Sequence, residues 1–140
     1  MHISPKSEVT LTPRKVSLTT RKGVEVRRTL PHRDIFMIGA WAFVDHYGPD
    51  SSQAMSVGAH PHIGLQTASW LFSGEIEHRD SLGSSQIIHP GELNLMTAGY
   101  GVAHSELSQG TSPLHGVQLW DSNYYFSHST QSRVRIWSSR

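Results

Sequence analysis

The stretch AHPHIGLQTASWLFSGEIEHRDSLG, residues 59–83, places two histidines one residue apart at the head of a strand-turn-strand pattern. In a β-strand, side chains two residues apart project to the same face, so His60 and His62 are expected to point together into a barrel interior. Downstream, GYGVAHSE (residues 99–106) repeats that spacing with His104 and Glu106. A single His-x-His pair arises easily by chance in a chain with ten histidines, so the second pair carries the argument: two such pairs on facing strands could close on one ion. Imidazole and carboxylate donors suit a first-row transition metal. Two or three histidines plus one carboxylate with open positions match non-haem iron(II) oxygen chemistry, and zinc, manganese, nickel or copper fit the same donors. Pro61 lacks an N–H and belongs at a strand start or sheet edge. Gly99 and Gly101 allow a tight turn just before His104.

The remaining histidines are read differently. His78, beside Glu77, Arg79 and Asp80, is expected at an exposed strand position, and His89, before Pro90-Gly91, at a turn flank. His115 is read as lying outside the site, with donation to a ligand as its alternative. His32, His46 and His128 carry no usable pattern. Trp70, Phe72, Leu95 and Met96 are expected in the core.

Length and composition bound the rest. A chain of 140 residues is one ordinary domain, and near 150 residues roughly 68–70% of the unfolded chain's surface can be buried. With no cysteine there is neither a disulfide nor a thiolate metal site. No apolar run forms a signal-peptide core or a membrane span, so a soluble, cytoplasmic protein without membrane contact is expected. The first thirty-three residues hold eight Lys/Arg against two Asp/Glu. Solvated edge strands guarded by cations explain that asymmetry better than a nucleic-acid arm does.

Turn signals recur at Gly48-Pro49-Asp50, Ser73-Gly74, Leu82-Gly83-Ser84, Pro90-Gly91, Gly99-Tyr100-Gly101 and Gly110 to Pro113. Between them lie short branched and aromatic runs: Val24 to Val26, Ser69 to Phe72, Gln86 to Ile88 and Gly116 to Trp120. This rhythm predicts an all-β sandwich or small barrel with little helix. Arg33 to Trp41 is apolar enough for a buried strand or a short helix. After Asp121 the punctuation fades, although Arg133 to Trp137 alternates and reads as a last strand.

The blocks HPHIGL, HRDSLG, PGELNLMTAG and GVAHSE, in this order, closely resemble the N-terminal domain of the pirin family within the cupin superfamily. The likeness runs upstream through VRRTLPHRDIFMIGAWAFVDHYGP and downstream to LHGVQLW. It divides the chain into an N-terminal arm with edge strands (1–23), a pirin-type cupin domain (24–120) and a divergent tail (121–140). The resemblance implies a double-stranded β-helix, or jelly-roll barrel, with one metal, expected as Fe(II), on His60, His62, His104 and Glu106. The general cupin pattern carries a glutamate where this chain has Gln66, a position that varies among bacterial relatives. Some pirins resemble quercetin 2,3-dioxygenases, which implies a flavonol-like substrate, O₂, and Glu106 as both ligand and catalytic base. Others resemble non-enzymatic regulators with protein partners, so the resemblance leaves both readings open. Typical pirins carry a second, metal-free barrel that is not recognisable here. A truncated pirin and a homo-oligomer covering the exposed face are therefore further expectations.

Overall fold

The computed structural model describes residues 8–18, 25–50, 54–122 and 131–138. Alternation in the sequence becomes alternation of burial. Along β5 (Gln66–Ser73) Thr67, Ser69 and Leu71 are buried, and along β6 (Glu75–Asp80) Ile76 and His78 are. Period-two patterning of this kind forms strands with one face on a core and one toward solvent.

Nine further strands complete the all-β architecture: β1 (Arg14–Ser17), β2 (Glu25–Leu30), β3 (Trp41–Asp50), β4 (Ser56–His62), β7 (Ser85–Ile88), β8 (Glu92–Thr97), β9 (Val102–Gln109), β10 (Leu114–Asp121) and β11 (Arg133–Ser138). They form a seven-stranded sheet in the order β1-β2-β3-β10-β5-β8-β11 and a four-stranded sheet in the order β4-β9-β6-β7. Pairings are antiparallel throughout. Val26, Tyr47, Leu71 and Leu114 of the larger sheet pack with Ile76 and Ile88 of the smaller in one apolar cluster. A second cluster, Met96, Ala98 and Val102, lies beside the turn that leads into β9. Among the described residues there is no helix, and no helix long and apolar enough to cross a membrane.

Several expectations need correction. Gly48-Pro49-Asp50 is not a turn but the end of β3: Asp50 faces Leu114 and Tyr47 faces Gly116, so Gly48 and Pro49 stand opposite the single residue His115 and form a bulge with one extra residue. Gly48, at φ 67°, takes a conformation that side chains disfavour, and Pro49 has no N–H to lose from the ladder. Arg33 to Trp41 is neither buried strand nor helix. Phe36 and Ile38 are exposed, and a single bridge joins Ile38 to Trp41. Of the four expected core residues Met96 is fully buried, Trp70 and Leu95 are half-buried, and Phe72 is exposed on the outer face of β5. Of the basic residues expected on solvated edge strands, Arg14 and Lys15 lie on β1, an edge among the described strands, whereas Arg27 and Arg28 lie on β2, which is paired on both sides, and Arg28 is turned onto buried Asp45. In the tail, β11 pairs with β8 as the opposite edge, whereas Val24 and His128 lie outside the described residues.

Candidate metal centre

The smaller sheet sets the histidines side by side. In the β4–β9 ladder His60 lies opposite His104, and in the β9–β6 ladder Asp80 lies opposite His104 and His78 opposite Glu106. Pro61 sits on β4, which among the described strands is an edge, so its missing N–H breaks no ladder. The turn into β9 depends on Gly101, whose φ of 138° excludes most side chains. Gly101 donates to the Ala98 carbonyl at 2.6 Å and to the Ser132 hydroxyl at 3.3 Å, which ties this turn to the approach of β11.

Ligand atoms of His60, His62 and His104 lie within 4.8 Å of one another, and so do those of His78, His104 and Glu106. The expected residues thus meet in two groups that share His104. His62 Nε2 is 3.1 Å from His104 Nε2, while Glu106 groups with His78 and His104 rather than with His60 and His62. His60 Nδ1–H donates to the Gly58 carbonyl at 2.9 Å, which leaves its Nε2 as a bare lone pair. Glu106 accepts from the Gln118 amide at 3.2 and 3.4 Å across the gap between the sheets. Gln118 also donates to Ser69 at 3.0 Å.

His78 is the residue the sequence reading misplaced. It is 1% exposed, its Nε2 lies 3.1 Å from Asp80 Oδ2, and its Nδ1 lies 3.4 Å from His104 Nδ1. Asp80 in turn accepts from the Leu82 and Ser84 N–H groups at 2.8 and 3.1 Å. The signal was present: Ile76, two residues earlier, is an inward apolar position, and it puts His78 and Asp80 on the same face. His115 lies away from the group. It contacts His46 at 2.8 Å and the Phe72 ring, and Arg27 lies 2.6 Å from the other nitrogen of His46. Gln66 bonds Thr97 rather than the site.

One wall of the site is aromatic. Trp120 and His62 meet at 90° with ring centroids 5.1 Å apart, and Phe43 packs on Trp120 at 4.8 Å. Arg28 caps Phe43 at 4.8 Å and binds buried Asp45 through two hydrogen bonds of 2.7 and 2.6 Å. A two-pronged guanidinium–carboxylate pair fixes geometry as well as charge, so it braces this wall.

Burial dominates the electrostatics. It pushes the Glu106 carboxyl up to about 7, with the Gln118 amide partly opposing it. It lowers His62 to about 4 and His104 to about 3, with neighbouring imidazoles adding to the effect. Tyr47 is also raised, by burial and then by Glu106. Burial works against the Asp80 charge as well, but the hydrogen bonds from Ser84 and Leu82 outweigh it and hold Asp80 below the usual carboxylate range. At neutral pH His62 and His104 are therefore uncharged, the protonation state a cation requires.

The chain resembles a Pseudomonas aeruginosa protein named "Putative quercetin 2,3-dioxygenase", to which it is 52% identical over 102 residues, covering 70% of this chain and 32% of that protein. A "Pirin-like protein" of Caulobacter vibrioides is 46% identical over 105 residues, covering 69% and 36%. Among solved structures, a quercetin 2,3-dioxygenase from Acinetobacter baumannii is 39% identical with a TM-score of 0.82, covering 90% of this chain and 43% of that one. The chain thus spans about a third of the length of these curated relatives. Residues 23–120 match the Pirin family model, a span that takes in every member of both histidine groups. By that match and those identities, the chain belongs to the pirin family.

Proposed function

We propose that the chain holds one divalent transition metal, Fe(II) in the first instance, on His60, His62, His104 and Glu106, and that the loaded centre supports quercetin 2,3-dioxygenase-type chemistry. The observation that carries this is the convergence of three imidazoles within 4.8 Å, with a carboxylate beside the shared member. The donor set fits the group: nitrogen and oxygen ligands without thiolate suit iron(II), and zinc, manganese, nickel or copper would be accepted by the same atoms. The two groups share His104, so for Glu106 to join a cation held by His60 and His62 its carboxylate must come within ligand reach of both. When bound, the metal supplies Lewis acidity and a template for a hydroxylated aromatic substrate and O₂.

The chain's own residues supply the rest. Glu106 is placed to take the proton of a weakly acidic flavonol hydroxyl: burial holds its carboxyl up, to about 7 in the metal-free chain, and the charge of a bound cation would draw it back down. Gln118 donates to the carboxylate that must receive it. Trp120 and Phe43, tilted 46° to each other, offer an apolar aromatic wall beside His62 for an aromatic substrate ring.

The test is anaerobic loading with Fe(II), removal of free metal, and exposure to quercetin and O₂ while flavonol absorbance and released carbon monoxide are followed. Loss of absorbance with matching carbon monoxide is expected. An iron-retaining chain that leaves quercetin untouched overturns the oxygenase, and a chain that retains no metal overturns the centre itself.

A further inference from the structure

We infer that His78 and Asp80 are positioning residues that hold the His104 ring by its Nδ1–H and so fix Nε2 as its ligand atom. The inference deepens the proposed metal centre and rests on it.

It follows from which atoms can donate. The Asp80 carboxylate only accepts, so the 3.1 Å contact requires a proton on His78 Nε2. A neutral His78 then carries a bare lone pair on Nδ1, and that atom lies 3.4 Å from His104 Nδ1. Two bare nitrogens facing each other would repel, so His104 donates through Nδ1–H, and its own Nε2 is left bare. That bare atom is the one 3.1 Å from His62 Nε2, on the side where His60 also lies. The run Asp80–His78–His104 therefore aims a lone pair at the three-histidine group. The pattern matches the general rule that a metal-ligating histidine is oriented by a partner on its other nitrogen. Here that partner is a second imidazole, itself oriented by a carboxylate.

The chain is built to hold still. His78 is 1% exposed and the Asp80 side chain is fully buried. The second oxygen of Asp80 is committed to the 82–84 backbone. At 3.4 Å the His78–His104 contact is long, and charge placed on Nε2 would make Nδ1–H a better donor and tighten it.

The first measurement needs no variant. Long-range nitrogen–proton correlation on the ¹⁵N-labelled, metal-free chain near neutral pH should show His104 protonated at Nδ1 and His78 at Nε2. A His104 protonated at Nε2, or averaged between tautomers, overturns the inference. The second compares His78→Leu with His78→Gln by cobalt(II) titration and visible spectra. His78→Leu removes the acceptor and should average the His104 tautomers and weaken cobalt(II) binding by roughly 10–100-fold. His78→Gln keeps an acceptor oxygen and should retain the Nδ1–H tautomer, the cobalt spectrum and most of the affinity. Equal losses in the two variants, or a cobalt spectrum altered by His78→Gln, would mark His78 as a ligand and overturn the positioning role. An unchanged His78→Leu overturns it too. If the unsubstituted chain takes up no cobalt(II), the metal centre falls, and the metal-free spectrum still decides the tautomer of His104.

Discussion

Glu106 stays protonated until about pH 7 in the folded, metal-free chain, while His62 and His104 stay neutral until about pH 4 and 3. The two effects on stability have opposite signs. For the histidines the folded pKa lies below the ordinary 6.5, so the unfolded chain binds more protons in that window and stability falls as pH drops below about 6.5. For Glu106 the folded pKa lies above the ordinary 4.5, so stability falls as pH rises from about 4.5 through about 7. Two histidines outweigh one carboxylate between these limits, and the three groups together place the stability maximum near pH 7. Melting of the chelator-treated protein from pH 5 to 8 checks this, and a melting temperature that climbs steadily toward pH 5 would contradict it. Metal affinity has a simpler dependence. Since His62 and His104 are already neutral in this range, protonation of Glu106 lowers it, and that step should cost up to roughly tenfold in affinity per unit below about pH 7. Titration of cobalt(II) at pH 6 and pH 8 measures the difference. His62→Ala and His104→Ala should each abolish retention of metal through gel filtration, because each removes a ligand from a small set. At this scale His60, His62, His104 and Glu106 were legible as alternating pairs. His78 was not, because its charged neighbours Glu77 and Arg79 occupy the opposite, outward face of the same strand.

Strands are most legible where one face is apolar. β5 and β9 show clean alternation, and their turns carry glycine. β3 was harder, because its Gly48-Pro49 bulge carries the residues of a turn while the chain remains paired with β10. Arg33 to Trp41 misled in the other direction: Phe36, Met37 and Ile38 fall in an exposed loop that ends where β3 begins at Trp41, and periodicity there has no core to answer to. On β10, Gly116 shows what a small residue does inside a sheet. A Cβ there would lie 2.6 Å from the Tyr47 hydroxyl and 2.7 Å from the Trp70 carbonyl oxygen. Gly116→Ala must therefore push Tyr47, a buried neighbour of Glu106, out of place. Overpacking of this kind costs about 1–3 kcal/mol, to be read as a lowered urea midpoint with an unchanged slope. An unaltered midpoint would mean that the two sheets have room to spare at that position.

For the molecule as a whole, the ordered blocks from HPHIGL to GVAHSE made the jelly-roll legible, whereas pairing of β11 with the distant β8 rests on long-range register that no local pattern encodes. A cation held by β4 and β9 joins parts of the chain more than forty residues apart. It binds only the folded form, so at a hundredfold excess over its dissociation constant it should add about 2.7 kcal/mol, visible as a higher melting temperature that chelator reverses. Amide exchange along β4 should slow at the same time, and exchange unchanged by cobalt(II) would place the ion elsewhere. Strand β4 has a hydrogen-bonded neighbour, among the described strands, on one side alone, yet it carries both His60 and His62. When such a border segment peels away, two donors depart in one motion. The residence time of the ion would then follow the clock of that peeling rather than the strength of any single bond, and a substitution that stiffens β4 would lengthen it without touching a ligand.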